Sequence, residues 1–226
     1  MEANNFSDIG ESTVKDSYSL NGTQRKLLLA AAAVSSGCGL AVELLLGTLA
    51  SYLVGNQALA YGIAIGGFLA AMGAGSYLSQ FIAPKMEGRL LQRRLLLAFV
   101  GVELAIAPLT SLLPLGLFAL FVMNGSIWLG LFLVTVLLGI LAGLEVPILT
   151  RVIEMEEGVR EALAGVLALD YLGALFGSLA FPVIFLPICG MFPTAFILGA
   201  LPAFMVFFIG RNFSHLRNWS YVGLIL

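Results

Sequence analysis

Charge is what this sequence has least of: Asp, Glu, Lys and Arg make up 11% of its 226 residues, less than half the roughly 25% with which a soluble domain covers its surface. A soluble enzyme is excluded on that ground. Eleven basic against thirteen acidic residues leave a net charge of -2, so there is no basic patch to neutralise phosphates and nucleic acid is excluded as a partner. Two cysteines cannot staple a small secreted domain. The single histidine, His215, falls in the C-terminal tail, so no His-based metal centre or acid-base pair can be built among the apolar segments, and neither metal nor cofactor is expected. No Gly-x-Gly-x-x-Gly follows a strand pattern; Gly66-Gly67 and Gly73-Ala74-Gly75 sit inside an apolar run and make no nucleotide cradle.

Apolar length is what the chain has instead. Hydrophobic residues make up 60% of it and the mean hydropathy is +1.01. A bilayer core takes about 20 apolar residues per helix, and that ruler marks six spans: 27–54, 58–83, 95–123, 127–150, 162–188 and 191–210. The expected fold is therefore all-α, a polytopic bundle of about six transmembrane helices in the lipid bilayer. Residues 1–26 read as a flexible polar tail, 27–210 as the transmembrane domain and 211–226 as an interfacial tail. The segment 1–26 is no signal peptide, because the run after it is far longer than an h-region of roughly 7–15 residues.

All eleven basic residues fall on one side of this pattern: Lys15, Arg25 and Lys26, then Lys85, Arg89, Arg93 and Arg94, then Arg151 and Arg160, then Arg211 and Arg217. The three short turns on the other side carry none, so the positive-inside rule puts both termini in the cytoplasm. Trp219 falls at the inner interface, and Tyr52, Tyr61 and Trp128 fall near the outer one, where amphipathic rings settle. The longer connections, 84–94 and 151–161, read as solvated charged loops. Cys38 lies inside the first span and Cys189 at an outer turn, a depth mismatch that argues against a disulfide.

Helices in lipid associate over small residues that let backbones approach. Gly62, Gly66 and Gly73 form one stripe with Ala70, and Gly139 with Gly143 and Gly173 with Gly177 repeat the spacing; all seven read as helix-packing positions. Pro108, Pro114, Pro147, Pro182 and Pro202 fall inside spans, each removing a backbone donor.

Four of the thirteen acids lie within spans, Glu43, Glu103, Glu145 and Asp170, and no Lys, Arg or His joins them. A charged carboxylate at mid-membrane costs about 2.5–3.5 kcal/mol or more. Counted from the basic ends, Glu103, Glu145 and Asp170 share a depth, with Glu43 nearer the middle. Two readings stay open: the acids are neutral and bridge helices by hydrogen bonds, or they form an anionic cavity for a small organic cation or for protons. Glu145 is the strongest cation-binding candidate, because Pro147 frees a backbone carbonyl near it.

Several ordered strings carry a resemblance: Gly39-Leu-Ala-Val-Glu43, Ala71-Met-Gly-Ala-Gly-Ser-Tyr-Leu-Ser79, Gly143-Leu-Glu-Val-Pro147 and Leu169-Asp-Tyr-Leu-Gly-Ala-Leu175, followed by Gly177-Ser-Leu-Ala-Phe-Pro182 and Leu186-Pro187. Together they resemble the membrane domain of the spermidine synthase-like (polyamine aminopropyltransferase-like) membrane proteins. Glu43, Glu145 and Asp170 map onto the motif acids, with Glu103 the weakest match. The resemblance implies a multi-helix membrane domain followed by a soluble domain that moves an aminopropyl group from decarboxylated S-adenosylmethionine to putrescine. No strand-and-glycine nucleotide fold follows the sixth span, so the 226 residues are expected to lack that catalytic half and to be non-catalytic alone. The resulting expectation is a membrane module that binds or passes a small cation such as a polyamine. The alternative is an accessory subunit of a larger membrane complex, docked through its glycine seams. A homo-oligomer or a separate soluble partner on the cytoplasmic face fits either reading.

Overall fold

The computed structural model describes residues 20–123, 125–213 and 216. Lys15, Asn124, His215, Arg217, Trp219 and most of both expected tails lie outside the described residues.

The six apolar runs form six helices: α1 (Gly22–Val54), α2 (Gln57–Leu78), α3 (Gly88–Val122), α4 (Ile127–Glu157), α5 (Val159–Ala180) and α6 (Met191–Asn212). There is no strand among the described residues. Six helical segments are long and apolar enough to cross a membrane, which is compatible with a multi-pass membrane protein. Large apolar side chains cover the outside, among them Leu115, Phe121, Leu133, Phe176, Val183 and Phe196. An apolar exterior of this extent is foreign to water-soluble monomers.

Local chemistry sets the helix ends. Asn56 accepts a hydrogen bond from the Leu59 amide at 3.1 Å and starts α2, and Ser126 accepts from Leu129 at 3.4 Å and starts α4, the usual use of such residues at N-caps. Gly55 ends α1 in the left-handed region, φ 80°, where only glycine sits without strain. The connection at 151–161 differs from the expected loop. α4 runs on through Arg151 and Glu154 to Glu157, and α5 begins at Val159, so only Gly158, at φ 88°, interrupts the helices. Glu and Arg are good helix formers, and low hydropathy marks a helix leaving the apolar zone rather than a helix ending. By the same logic α1 and α3 begin several residues before their apolar spans.

Pro108, Pro114, Pro147 and Pro202 lie within unbroken helices. Pro182 and Pro187 behave differently. After α5 the chain widens into a π-helical turn over Phe181–Cys189. Pro187 has no N–H for the carbonyl one α-turn back; at the end of the turn the Thr194 hydroxyl shares its one proton between the carbonyl oxygens of Gly190 and Phe185, at 2.6 and 3.1 Å.

The largest helix contacts pair α2 with α4, α1 with α5 and α3 with α6, and each pair closes over glycine. A Cβ added at Gly143 would be driven into the Met72 carbonyl, and one at Gly139 would stand 2.6 Å from the Ala71 Cβ. On α5, Gly173 and Gly177 lie against the backbone of Ala33 and Gly37; on α6, Gly199 lies against Ala107. The stripe on α2 behaves otherwise. Gly62, Gly66 and Gly73 are exposed, and a Cβ at any of them would meet nothing within 4 Å.

Two buried apolar clusters fill the bundle. One gathers Leu28, Leu95, Phe99, Ile148 and Val152, and the other gathers Leu45, Leu49, Phe68, Leu131 and Leu138. Side chains tie the helix ends beside the first cluster: Gln24 donates to the Asn212 carbonyl at 3.0 Å, joining α1 to α6. Arg151 donates to the Ile82 carbonyl at 2.9 Å, joining α4 to the end of α2.

Candidate functional site

Between the two apolar clusters lies a polar layer. Along α1, Ser35 falls between Ala32 of the first cluster and Cys38 of the second; along α4, Glu145 falls between Ala142 and Ile148. Glu103 on α3 occupies the same level. All three are buried, Glu103 completely, at 0% exposure.

The Ser35 hydroxyl donates to Glu145 Oε2. The Glu103 carboxyl lies beside the same hydroxyl. Neither Glu103 oxygen has a hydrogen-bond partner. Glu103 and Asp170 both lie within electrostatic range of Glu145, and Asp170, half-buried on α5, stands beside Ser36 of α1. Three of the four acids singled out by sequence are thus brought to one layer by α3, α4 and α5, with α1 supplying both serines. Glu43 is buried too, but it lies eight residues beyond Ser35 on α1, roughly 12 Å along the axis at 1.5 Å per residue, outside this group.

The glycine seams set the layer. Glu145 follows Gly143, whose contact with Met72 holds α4 against α2; Asp170 precedes Gly173, whose contact with Ala33 holds α5 against α1. Gly139 and Gly177 extend the same two seams, while Gly62, Gly66 and Gly73 have no part in them.

A cavity of about 20 Å³ opens beside Glu145, lined by Ser35, Cys38, Gly39, Phe68, Ala142 and Pro202 among others. That is space for about one water molecule. Two larger cavities carry no carboxyl on their walls. One of about 440 Å³ lies between α1, α5 and α6 and is lined by residues such as Gly37, Leu172, Phe176 and Leu198. The other, of about 400 Å³, is lined by Pro108, Leu112, Leu120, Val134 and similar residues. Among the described residues no group of three or more His, Cys, Asp and Glu is placed to hold a metal ion. Cys38 is buried and free, and Cys189 is free at the end of the π-helical turn.

Sequence reading did not single out Ser35. Its partner is 110 residues away, and a serine inside an apolar helix carries no mark of which helix it will meet. Tyr61, expected near the outer interface, packs against Gly47 and shares a hydrogen bond with Thr48 at 2.8 Å. Tyr52 and Trp128 are exposed.

No family model matches the chain, and no solved structure does. Curated proteins do match. The polyamine aminopropyltransferase of Leptospira interrogans is 39% identical over 168 residues, covering 74% of this chain and 32% of that protein. Polyamine aminopropyltransferase 2 of Ralstonia nicotianae is 37% identical over 175 residues, 76% of this chain and 33% of its own length. The polyamine aminopropyltransferase of Mycobacterium tuberculosis is 38% identical over 184 residues, 77% of this chain and 33% of that protein. The chain spans about a third of the length of these curated relatives. Over about three quarters of its own length it is a sequence relative of proteins named polyamine aminopropyltransferase.

Proposed function

We propose that this chain is an integral membrane module of the spermidine synthase-like kind, with both termini in the cytoplasm, which binds or passes a small organic cation at its buried carboxyl layer. The names of the relatives make a polyamine the first candidate. The observation that carries the reading is the layer itself: Glu103, Glu145 and Asp170 converge from three helices, and among the described residues no basic side chain reaches them. Acids in such a place are a functional site by default, since each costs insertion energy that packing alone does not require.

On this reading the 226 residues do not catalyse aminopropyl transfer by themselves. That reaction needs a base for the attacking amine and a pocket that aligns two charged substrates, and the layer offers about 20 Å³ of space. A soluble partner on the cytoplasmic face would supply the chemistry. The same small cavity favours a second reading, in which the acids are neutral and bridge helices in an accessory subunit of a larger complex. A polyamine is larger than one water, so cation binding requires the bundle to open at Glu145.

Calorimetric titration of purified protein with putrescine and with spermidine separates the two. Under the cation reading wild type binds, and both Glu145→Gln and Asp170→Asn lose binding while keeping their helical content. Equal binding by all three proteins, or binding by none, removes the cation reading and leaves the accessory one.

A further inference from the structure

The hydrogen-bond account of the polar layer leaves one carboxyl unmatched. Ser35 gives its only proton to Glu145, so Glu145 is the member of the pair with a donor in place. Glu103 is fully buried, and both its oxygens lack a partner. Among the described residues the groups facing this pair are few. α1 presents Cys38, α5 presents Asp170, and α2 and α6 present Phe68 and Pro202. Arg151, the basic residue nearest along α4, turns away to the carbonyl oxygens of Ser79 and Ile82.

Two carboxylates at close range in an apolar interior cannot both be ionised without a counter-ion. An ionised carboxylate needs donors, and the available donor points at Glu145. We infer that Glu103 and Glu145 form a one-proton site, in which Glu103 holds the proton and Glu145, fixed by Ser35, is the carboxylate that faces it. The cavity beside Glu145 is the right size for one water, which would give the Glu145 carboxylate a second hydrogen-bond donor beside Ser35. The inference concerns the same layer as the cation reading and goes beyond it, naming a proton as what the pair holds.

Infrared spectroscopy of the purified full chain at neutral pH tests it, because a protonated carboxyl has a C=O stretch that a carboxylate lacks and that moves on transfer to D₂O. Glu103→Gln is expected to remove one such band. Glu145→Gln should keep that band and shift its frequency, since the neighbouring carboxylate is gone. Ser35→Ala should likewise shift the band without changing the number of protons, and it decides the matter if Glu103→Gln does not fold. Loss of a separate band in each Gln variant would mean two neutral acids, and no loss in either would mean two ionised ones; both results overturn the one-proton site. A band lost in Glu145→Gln but kept in Glu103→Gln overturns the assignment of the proton. The same spectra with putrescine added keep the two readings distinguishable: an unchanged band with no bound putrescine ends the polyamine reading and leaves the proton site standing.

Discussion

At Gly47 the missing side chain makes room for a ring. The Tyr61 ring lies where a Cβ would be, and from there its hydroxyl reaches Thr48, which also donates to the Leu44 carbonyl at 2.8 Å. The two positions differ in what substitution does. Tyr61→Phe removes one hydrogen bond and leaves the ring in place, so it should cost about 0.6 kcal/mol, the mean for interhelical hydrogen bonds in a membrane protein. Gly47→Ala displaces the whole ring, and overpacking of that kind costs about 1–3 kcal/mol. Unfolding of the two variants in mixed detergent should rank Gly47→Ala as the more damaging; the reverse order would mean the hydroxyl, not the ring, holds α2 to α1 here. This residue-scale arrangement was not legible in the sequence, where Tyr61 reads only by its place near the end of a span. The composition shows that a Tyr sits near a span end, but which side of the helix meets a neighbour depends on the partner helix. Ser35 was hidden for the same reason. The depth of Glu103, Glu145 and Asp170, by contrast, could be counted from the span ends, because helix rise is fixed and the basic residues mark where each count begins.

At the scale of the helix, small-residue spacing states that close approach is possible and does not state where it happens. The pairs Gly139 with Gly143 and Gly173 with Gly177 lie on backbone, whereas Gly62, Gly66 and Gly73 repeat a similar spacing on a face with open space beside it. A direct contrast follows. Gly143→Ala and Gly177→Ala push a methyl group into a carbonyl that cannot rotate away, so the helices must separate, at a cost of about 1–3 kcal/mol each. Gly62→Ala and Gly66→Ala meet nothing, and should be neutral or stabilising by about 0.5–1 kcal/mol, the helix preference of alanine over glycine. Detergent unfolding of the four variants as monomers checks both halves of the contrast. If Gly62→Ala and Gly66→Ala weaken the protein as much as the seam variants, the α2 face is covered in the folded state. Existence and order of the six helices were legible because each needs only a long apolar run. The ends were not: hydropathy falls where a helix leaves the apolar zone, and α4 carries on through Arg151, Glu154 and Glu156 until Gly158 supplies the break.

At the scale of the whole molecule, charge placement and helix connectivity agree without having been derived from each other. With α1 starting at one end and each helix reversing the last, the described basic residues fall at one end of the bundle: Arg25 and Lys26 at the start of α1, Lys85 between α2 and α3, Arg89, Arg93 and Arg94 at the start of α3, Arg151 and Arg160 around Gly158, and Arg211 at the end of α6. The Gln24–Asn212 and Arg151–Ile82 bonds are made at that same end. The turns at Gly55, Gly125 and Gly190 carry no basic residue. A bilayer that retains Lys and Arg on its cytoplasmic side would therefore hold this bundle in one orientation, with no helix asked to break the rule. The expectation is tested in sealed cells with single cysteines in a background in which Cys38 and Cys189 are replaced by alanine. Cysteines at Gln57 and Met123, both exposed, should react with an impermeant thiol reagent from outside. Cysteines at Lys85 and Arg160, exposed at the other end, should react only after the membrane is opened. Labelling of Lys85→Cys from outside in intact cells would invert the bundle. The carboxyl layer, which lies nearer the basic end, would then open toward the exterior, and a partner acting on the cytoplasmic face would lose its access to Glu145.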